Sequence, residues 1–212
     1  MDVRTFTVGP LAENAFLLRR DGADRALLVD PGDEAERLLR AIDALGVKLD
    51  AILLTHTHFD HLGAVAPVAR ATGAPVVCPA LEVGVLADPA PWTPPPFGPF
   101  EGWEAERTVE GGERLELAGL DLEVLFTPGH SPGHVTYAVE DEGALFSGDV
   151  LFQGSVGRVD LPGGDGPTLL RSIATLLERF DDDTVVHPGH MGLTTIGRER
   201  ATNPFLAELA GR

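Results

Sequence analysis

All seven histidines of this 212-residue chain fall in three short clusters: His56, His58 and His61; His130 and His134; His187 and His190. Each cluster follows an apolar, strand-like run: Ala51 to Leu54, Leu122 to Phe126, and Thr184 to Val186. Loops at strand ends are where a scaffold converges side chains from distant parts of a chain. The arrangement therefore predicts strands whose ends meet at one place.

The rest of the pattern agrees. Strand-like runs open the chain at Val3 to Val8, Ala15 to Leu18 and Ala26 to Val29. From Ala35, Leu38, Ile42 and Leu45 mark one face of a helix stopped at Gly46. A helix is predicted after His61, ending near Gly73. In the second half, Leu115 to Leu117 and Val135 to Val139 read as strands, and Leu169, Ile173, Leu176, Leu177 and Phe180 line one face of a helix. Strands and helices in both halves predict a layered α/β domain. Residues 88–99 carry six prolines, which exclude helix and central strand, so an extended surface loop is expected. Its Trp92 and Phe97 place it either over a site or as a passive, anchored connection. Cys78, the one cysteine, is expected to be buried among apolar neighbours.

Residues two apart in an extended segment point the same way, so His56 and His58 can grip one cation. Asp60 and His61, turning into the next helix, can reach a second. Imidazole and carboxylate donors suit zinc, iron or manganese. His130 would add a third nitrogen to the first ion, and His190 would complete the second set. Asp149 could bridge the two, since divalent cations roughly 3.5–4 Å apart need negative charge between them. Taken singly, His130, Asp149 and His190 are ordinary polar loop residues; with the first cluster they read as ligands.

These motifs, Thr55-His-Thr-His-Phe-Asp-His61, His130, Asp149 and His190, resemble those of the metallo-β-lactamase superfamily. The resemblance implies an αββα sandwich of two mixed sheets with outer helices and two divalent metal ions, zinc first, with iron or manganese as alternatives. It assigns His56, His58 and His130 to one ion and Asp60, His61 and His190 to the other, with Asp149 between. Within the superfamily the chain looks like the small bacterial branch of the glyoxalase II family, through Val29-Asp-Pro-Gly32, Thr127-Pro-Gly-His-Ser-Pro-Gly-His134, Ser155-Val-Gly-Arg-Val-Asp160 and Asn203-Pro-Phe205. That implies a thioester hydrolase cleaving S-2-hydroxyacylglutathione (S-D-lactoylglutathione) through a metal-bound hydroxide, with Asp60 also orienting the water. Asp30 and His134 take supporting positions beside the ligands, and His187 matches no ligand position and is read as structural. Arg158 either clamps a substrate carboxylate or pairs with Asp160; both readings stay open.

With 22 residues after His190, the C-terminal helical domain that helps glyoxalase II bind glutathione is not expected, and 1–212 reads as a single domain. The family's tyrosine and lysine contacts to glutathione are also not seen. A second reading is a persulfide dioxygenase of the same fold, with one iron on His56, His130 and Asp149, although Met191-Gly192 looks more like the hydrolases. A third is a non-catalytic metal-binding or sensor module, which would ordinarily have lost ligands. Sixteen basic against 33 acidic residues, a net charge of -17, argue against nucleic-acid partners and anionic membrane surfaces. The opening Met-Asp-Val-Arg-Thr shows no signal peptide, so a cytoplasmic protein is expected.

Overall fold

Near-continuous apolar runs such as Ala26–Val29 are what a strand covered on both faces requires. In the computed structural model, which describes residues 1–206, such runs form the middle of two facing sheets. The first contains β1 (Asp2–Val8), β2 (Glu13–Arg19), β3 (Arg25–Val29), β4 (Lys48–Leu53), β5 (Val76–Pro79) and β6 (Arg107–Val109), in that spatial order. Its first two pairings are antiparallel and its last three parallel. The second half supplies β7 (Arg114–Leu117), β8 (Leu120–Phe126), β9 (Val135–Val139), β10 (Ala144–Gly148), a small hairpin of β11 (Leu151–Phe152) and β12 (Ser155–Val156), then β13 (Val185–Pro188) and β14 (Thr194–Thr195). The second sheet runs β14-β13-β10-β9-β8-β7, antiparallel except between β10 and β13.

Alternation along β2 and β3 divides the core. Phe16, Leu18 and Leu27 point between the sheets toward Leu122, Tyr137 and Phe146. Leu17 and Leu28 point outward, into the core formed with Leu38 and Ile42 of α1 (Ala35–Leu45) and Val65 and Val68 of α3 (Val65–Thr72). On the far side, Leu145 and Val186 pack against Leu169, Ile173 and Leu176 of α4 (Gly166–Arg179) and Ile196 of α5 (Ile196–Thr202). Helix, sheet, sheet, helix is the αββα order. Cys78 is buried in the first outer core.

Two local readings are corrected. The helix after His61 is split into α2 (Phe59–Leu62) and α3, with Gly63 and Ala64 between them. The proline-rich stretch contains one 3-10 turn at Ala90–Trp92, because a proline is tolerated within a first turn, where its missing N–H goes unused. No helix among the described residues is long and apolar enough to cross a membrane.

The sheet directions position the site. Strands β3, β4 and β5 run parallel, as do β10 and β13, and β8 shares their direction through antiparallel β9. Asp30, His56, Asp149 and His190 all follow C-terminal strand ends. The two sheets are tied at this rim: Thr55 accepts from the Val135 amide (2.9 Å), Leu54 from the Tyr137 hydroxyl (2.9 Å) and Gly189 from the Asn14 amide (2.7 Å).

Candidate metal centre

The ring nitrogens of His56, His58 and His130 converge. His58 Nδ1 lies 3.1 Å from His56 Nε2 and 2.7 Å from His130 Nε2. A second group, Asp60, His61 and His190, brings its donor atoms within 4.8 Å of one another, with His190 Nε2 3.3 Å from Asp60 Oδ2. Asp149 stands between them: Oδ1 is 3.4 Å from His61 Nε2, and Oδ2 is 3.4 Å from His130 Nε2 and 3.6 Å from His190 Nε2. The tertiary structure thus collects all seven candidate ligands.

Hydrogen bonding on the outer side of each ring decides which nitrogen faces inward. The Thr55 hydroxyl donates to Asp30 Oδ2 (2.7 Å), so His56 Nδ1, 3.0 Å from Thr55 Oγ1, must be the donor in that pair. His61 Nδ1 faces Asp30 Oδ2 at 3.1 Å, and His130 Nδ1 faces the Arg158 carbonyl at 2.7 Å. Neither oxygen can donate, so each ring is left with an unprotonated Nε2 directed at the centre when neutral. His134 is spent differently. Its Nε2 accepts from the Asp149 amide (3.1 Å) and its Nδ1 lies 3.1 Å from Thr127 Oγ1, while the ring stacks on His56 at 4.9 Å. It supports a loop and has no lone pair left for a cation.

Electrostatics sharpen this. Burial, aided by neighbouring imidazoles, holds His56 well below the ordinary histidine range and brings His58 to about 4. Both are neutral donors. At His61 burial also opposes charge, but the carboxylates of Asp149, Asp30 and Asp60 outweigh it and raise the ring. Burial works against the Asp149 anion too, yet the imidazoles of His61, His130 and His190 hold it far below the usual carboxylate range. Carboxylates thus favour positive charge at this point. His61 Nε2 and Asp149 Oδ1 are buried and neither makes a hydrogen bond of acceptable geometry. Unpartnered buried polar atoms are costly, about 1–3 kcal/mol each, and a divalent cation between these two would satisfy both. The donor set fits the metals expected from the sequence.

Two glycines make room. A Cβ at Gly189 would collide with the Asp149 carboxylate and the His61 ring, and one at Gly157 with the Asp149 carbonyl. The Gly-Arg-x-Asp segment therefore contributes its backbone: Gly157 passes close under Asp149, and the Arg158 carbonyl orients His130. The Arg158 guanidinium forks onto Asp160 with two 2.7 Å bonds, both side chains well exposed. His187 lies away from the donors, stacked on Phe146 at 4.8 Å.

Sequence reasoning missed three buried carboxylates. Glu82, just after β5, accepts from Thr57 Oγ1 (2.7 Å), Ser131 Oγ (2.7 Å) and the Gly133 amide (2.8 Å), joining the two histidine loops. Glu13 lies 3.7 Å from His61 Nδ1, and burial raises its pKa well above the ordinary range. Glu199 accepts from the Gly154 amide and Asn203 Nδ2 (both 2.8 Å), and Asn203 reaches the Ser155 carbonyl, so the Asn-Pro-Phe motif braces the β11–β12 hairpin. Glu82 could have been found by its place at a strand end, like the ligands; the others carry no such signal.

With this centre along the rim of an αββα sandwich, the comparisons agree on a class. The family model for the metallo-beta-lactamase superfamily matches residues 8–190, and the chain belongs to that superfamily of metallo-hydrolases. It is 37% identical to the hydroxyacylglutathione hydrolase GloC of Haemophilus influenzae, covering 97% of this chain and 98% of that protein. Among solved structures it is similar to the B3 metallo-beta-lactamase BLEG-1 (40% identity, TM-score 0.92, 97% of this chain and 100% of that one). It also resembles TTHA1623 in a di-iron-bound form (45% identity, TM-score 0.81, 96% and 100%).

Proposed function

We propose that this protein is a thioester hydrolase of the glyoxalase II type, splitting S-2-hydroxyacylglutathione, with S-D-lactoylglutathione as the reference substrate, into hydroxy acid and thiol. The observation that carries the reading is the Asp149 carboxylate standing between two complete donor sets. His56, His58 and His130 would hold one divalent ion and Asp60, His61 and His190 the other, with Asp149 shared. Zinc suits these donors best, with iron or manganese as alternatives. When bound, such ions supply Lewis acidity, acidifying water and polarising a carbonyl.

The residues do the rest. Asp60, its anion favoured by His190 despite burial, accepts a hydrogen bond from the attacking water and aims it at the carbonyl carbon. As the C–O bond forms the water gives up its proton to solvent, the C–S bond breaks, and its electron pair leaves on sulfur. A thiol has a pKa of about 8.5, so the thiolate departs without a strong general acid. Asp30 and His134 keep His61 and Asp149 in place. Arg158 can transfer its donor fork from Asp160 to a substrate carboxylate. The partner is a small thioester, not nucleic acid or membrane, met in the cytoplasm by a chain that works as one domain; 207–212 lie outside the described residues.

The test is loss of S-D-lactoylglutathione by purified, metal-loaded protein, with His56→Ala as control. Turnover near 10⁴ M⁻¹s⁻¹ or above, abolished in the variant, is expected. No turnover would remove the assignment, and oxygen uptake with glutathione persulfide would then test the dioxygenase reading.

A further inference from the structure

Beside the candidate metal centre lies a cavity of about 290 Å³, walled by the turn between β1 and β2 and by residues 96–100 of the proline-rich loop. Asp60 is the one candidate ligand among the residues that line it, so the cavity adjoins the second donor set. Phe59, the residue between His58 and Asp60 in the histidine motif, packs on Phe97 at 4.8 Å and lies parallel to Phe100 at 6.4 Å. Leu11 and Val8 add apolar lining. The charged groups present are the carboxylates of Asp33 and Asp60; among the described residues lining the cavity, none is a cation.

We propose that this cavity receives the acyl arm of the thioester and selects an uncharged, apolar acyl group, aromatic or branched, over a small hydroxyacyl one. The inference rests on the thioester-hydrolase reading and extends its acyl range, with D-lactoyl cleaved, but more slowly than a larger apolar group. Three observations choose the acyl arm. The cavity borders Asp60, so a group bonded directly to the scissile carbonyl reaches it. Its one carboxylate outside the donor sets, Asp33, repels the carboxylates of a glutathione arm, and no lining cation offsets it. Its volume, close to the ~300 Å³ lower bound of drug-sized sites, leaves room for a ring where a lactoyl group would fill only a part. Aromatic edges and faces then supply contact to an apolar ring.

The test holds the thiol constant as glutathione and varies the acyl group: D-lactoyl, acetyl and phenylacetyl. Wild type should show kcat/KM at least tenfold higher for phenylacetyl than for acetyl or D-lactoyl, within the range one or two apolar contacts give. Phe97→Ala, on a surface loop, should cut the phenylacetyl value about tenfold and leave acetyl within threefold; Leu11→Ala should do the same more weakly. Cleavage of the small thioesters without preference for phenylacetyl, or equal loss for all three in Phe97→Ala, would overturn the acyl cavity and leave the hydrolase standing. No cleavage of any thioester by the metal-loaded protein would overturn both.

Discussion

The inner and outer walls of the candidate site are built on opposite principles. The inner wall, loops 55–61 and 130–134 with Asp149, is mostly buried and held by carboxylates that each accept several hydrogen bonds: Asp30 from Thr55 and His61, Glu82 from Thr57, Ser131 and Gly133. The outer wall, residues 96–100 and 158–160, is made of half-buried aromatics, prolines and the exposed Arg158–Asp160 pair. Buried charge-assisted bonds fix ligand positions; exposed pairs in high dielectric fix little. One wall sets the metal chemistry, and the other is free to set the substrate.

That contrast can be broken at its strongest point first. Asp149→Ala removes the group between both donor sets and should lower kcat/KM by at least ~10³, about 4 kcal/mol, with fewer than two metal equivalents retained by elemental analysis. Full metal content with unchanged rate would dissolve the distinction.

Next, Glu82→Ala leaves three donors unpaired and should cost about 3 kcal/mol in urea unfolding. A loss under ~1 kcal/mol would mean the inner wall is not held this way.

His187 probes burial apart from the site. Desolvation lowers its pKa to about 4, so the unfolded chain binds the proton more readily as pH falls from 6.5 through 4, and stability is lost in that window. His187→Phe keeps the packing on Phe16 and Phe146 and should gain about 2 kcal/mol relative to wild type on going from pH 7.5 to pH 5. Parallel pH profiles for the two proteins would refute it.

Smallest of all, Arg158→Ala should change stability by less than ~1 kcal/mol, since the pair is exposed, while raising KM for a carboxylate-bearing thioester several-fold. A large stability loss would place Arg158 with the inner wall.

The sequence by itself determined more of the inner wall than of the outer. His56-x-His58-x-Asp60-His61 after a buried strand announces a cation site, because the side-chain period and the donor chemistry are both local. The apolar runs and helical faces likewise fixed the layered α/β class, since burial on one or two faces is written into spacing. Glu13 stayed hidden because a single glutamate is expected at the surface, and only burial against His61 reveals it; Glu82 stands at a strand end, but its bonds to Thr57 and Ser131 come from the tertiary structure. For Arg158 the sequence leaves a substrate carboxylate and Asp160 equally open; its fork rests on Asp160, and its carbonyl, which neither reading used, holds His130. The proline-rich loop was legible as a loop, but not that Phe97 would meet Phe59 beside Asp60. Donor type and strand period are properties of short segments, whereas which ring nitrogen faces inward, and which loop walls a cavity, depend on contacts between residues far apart in the chain. Those contacts exist only once the two sheets have closed.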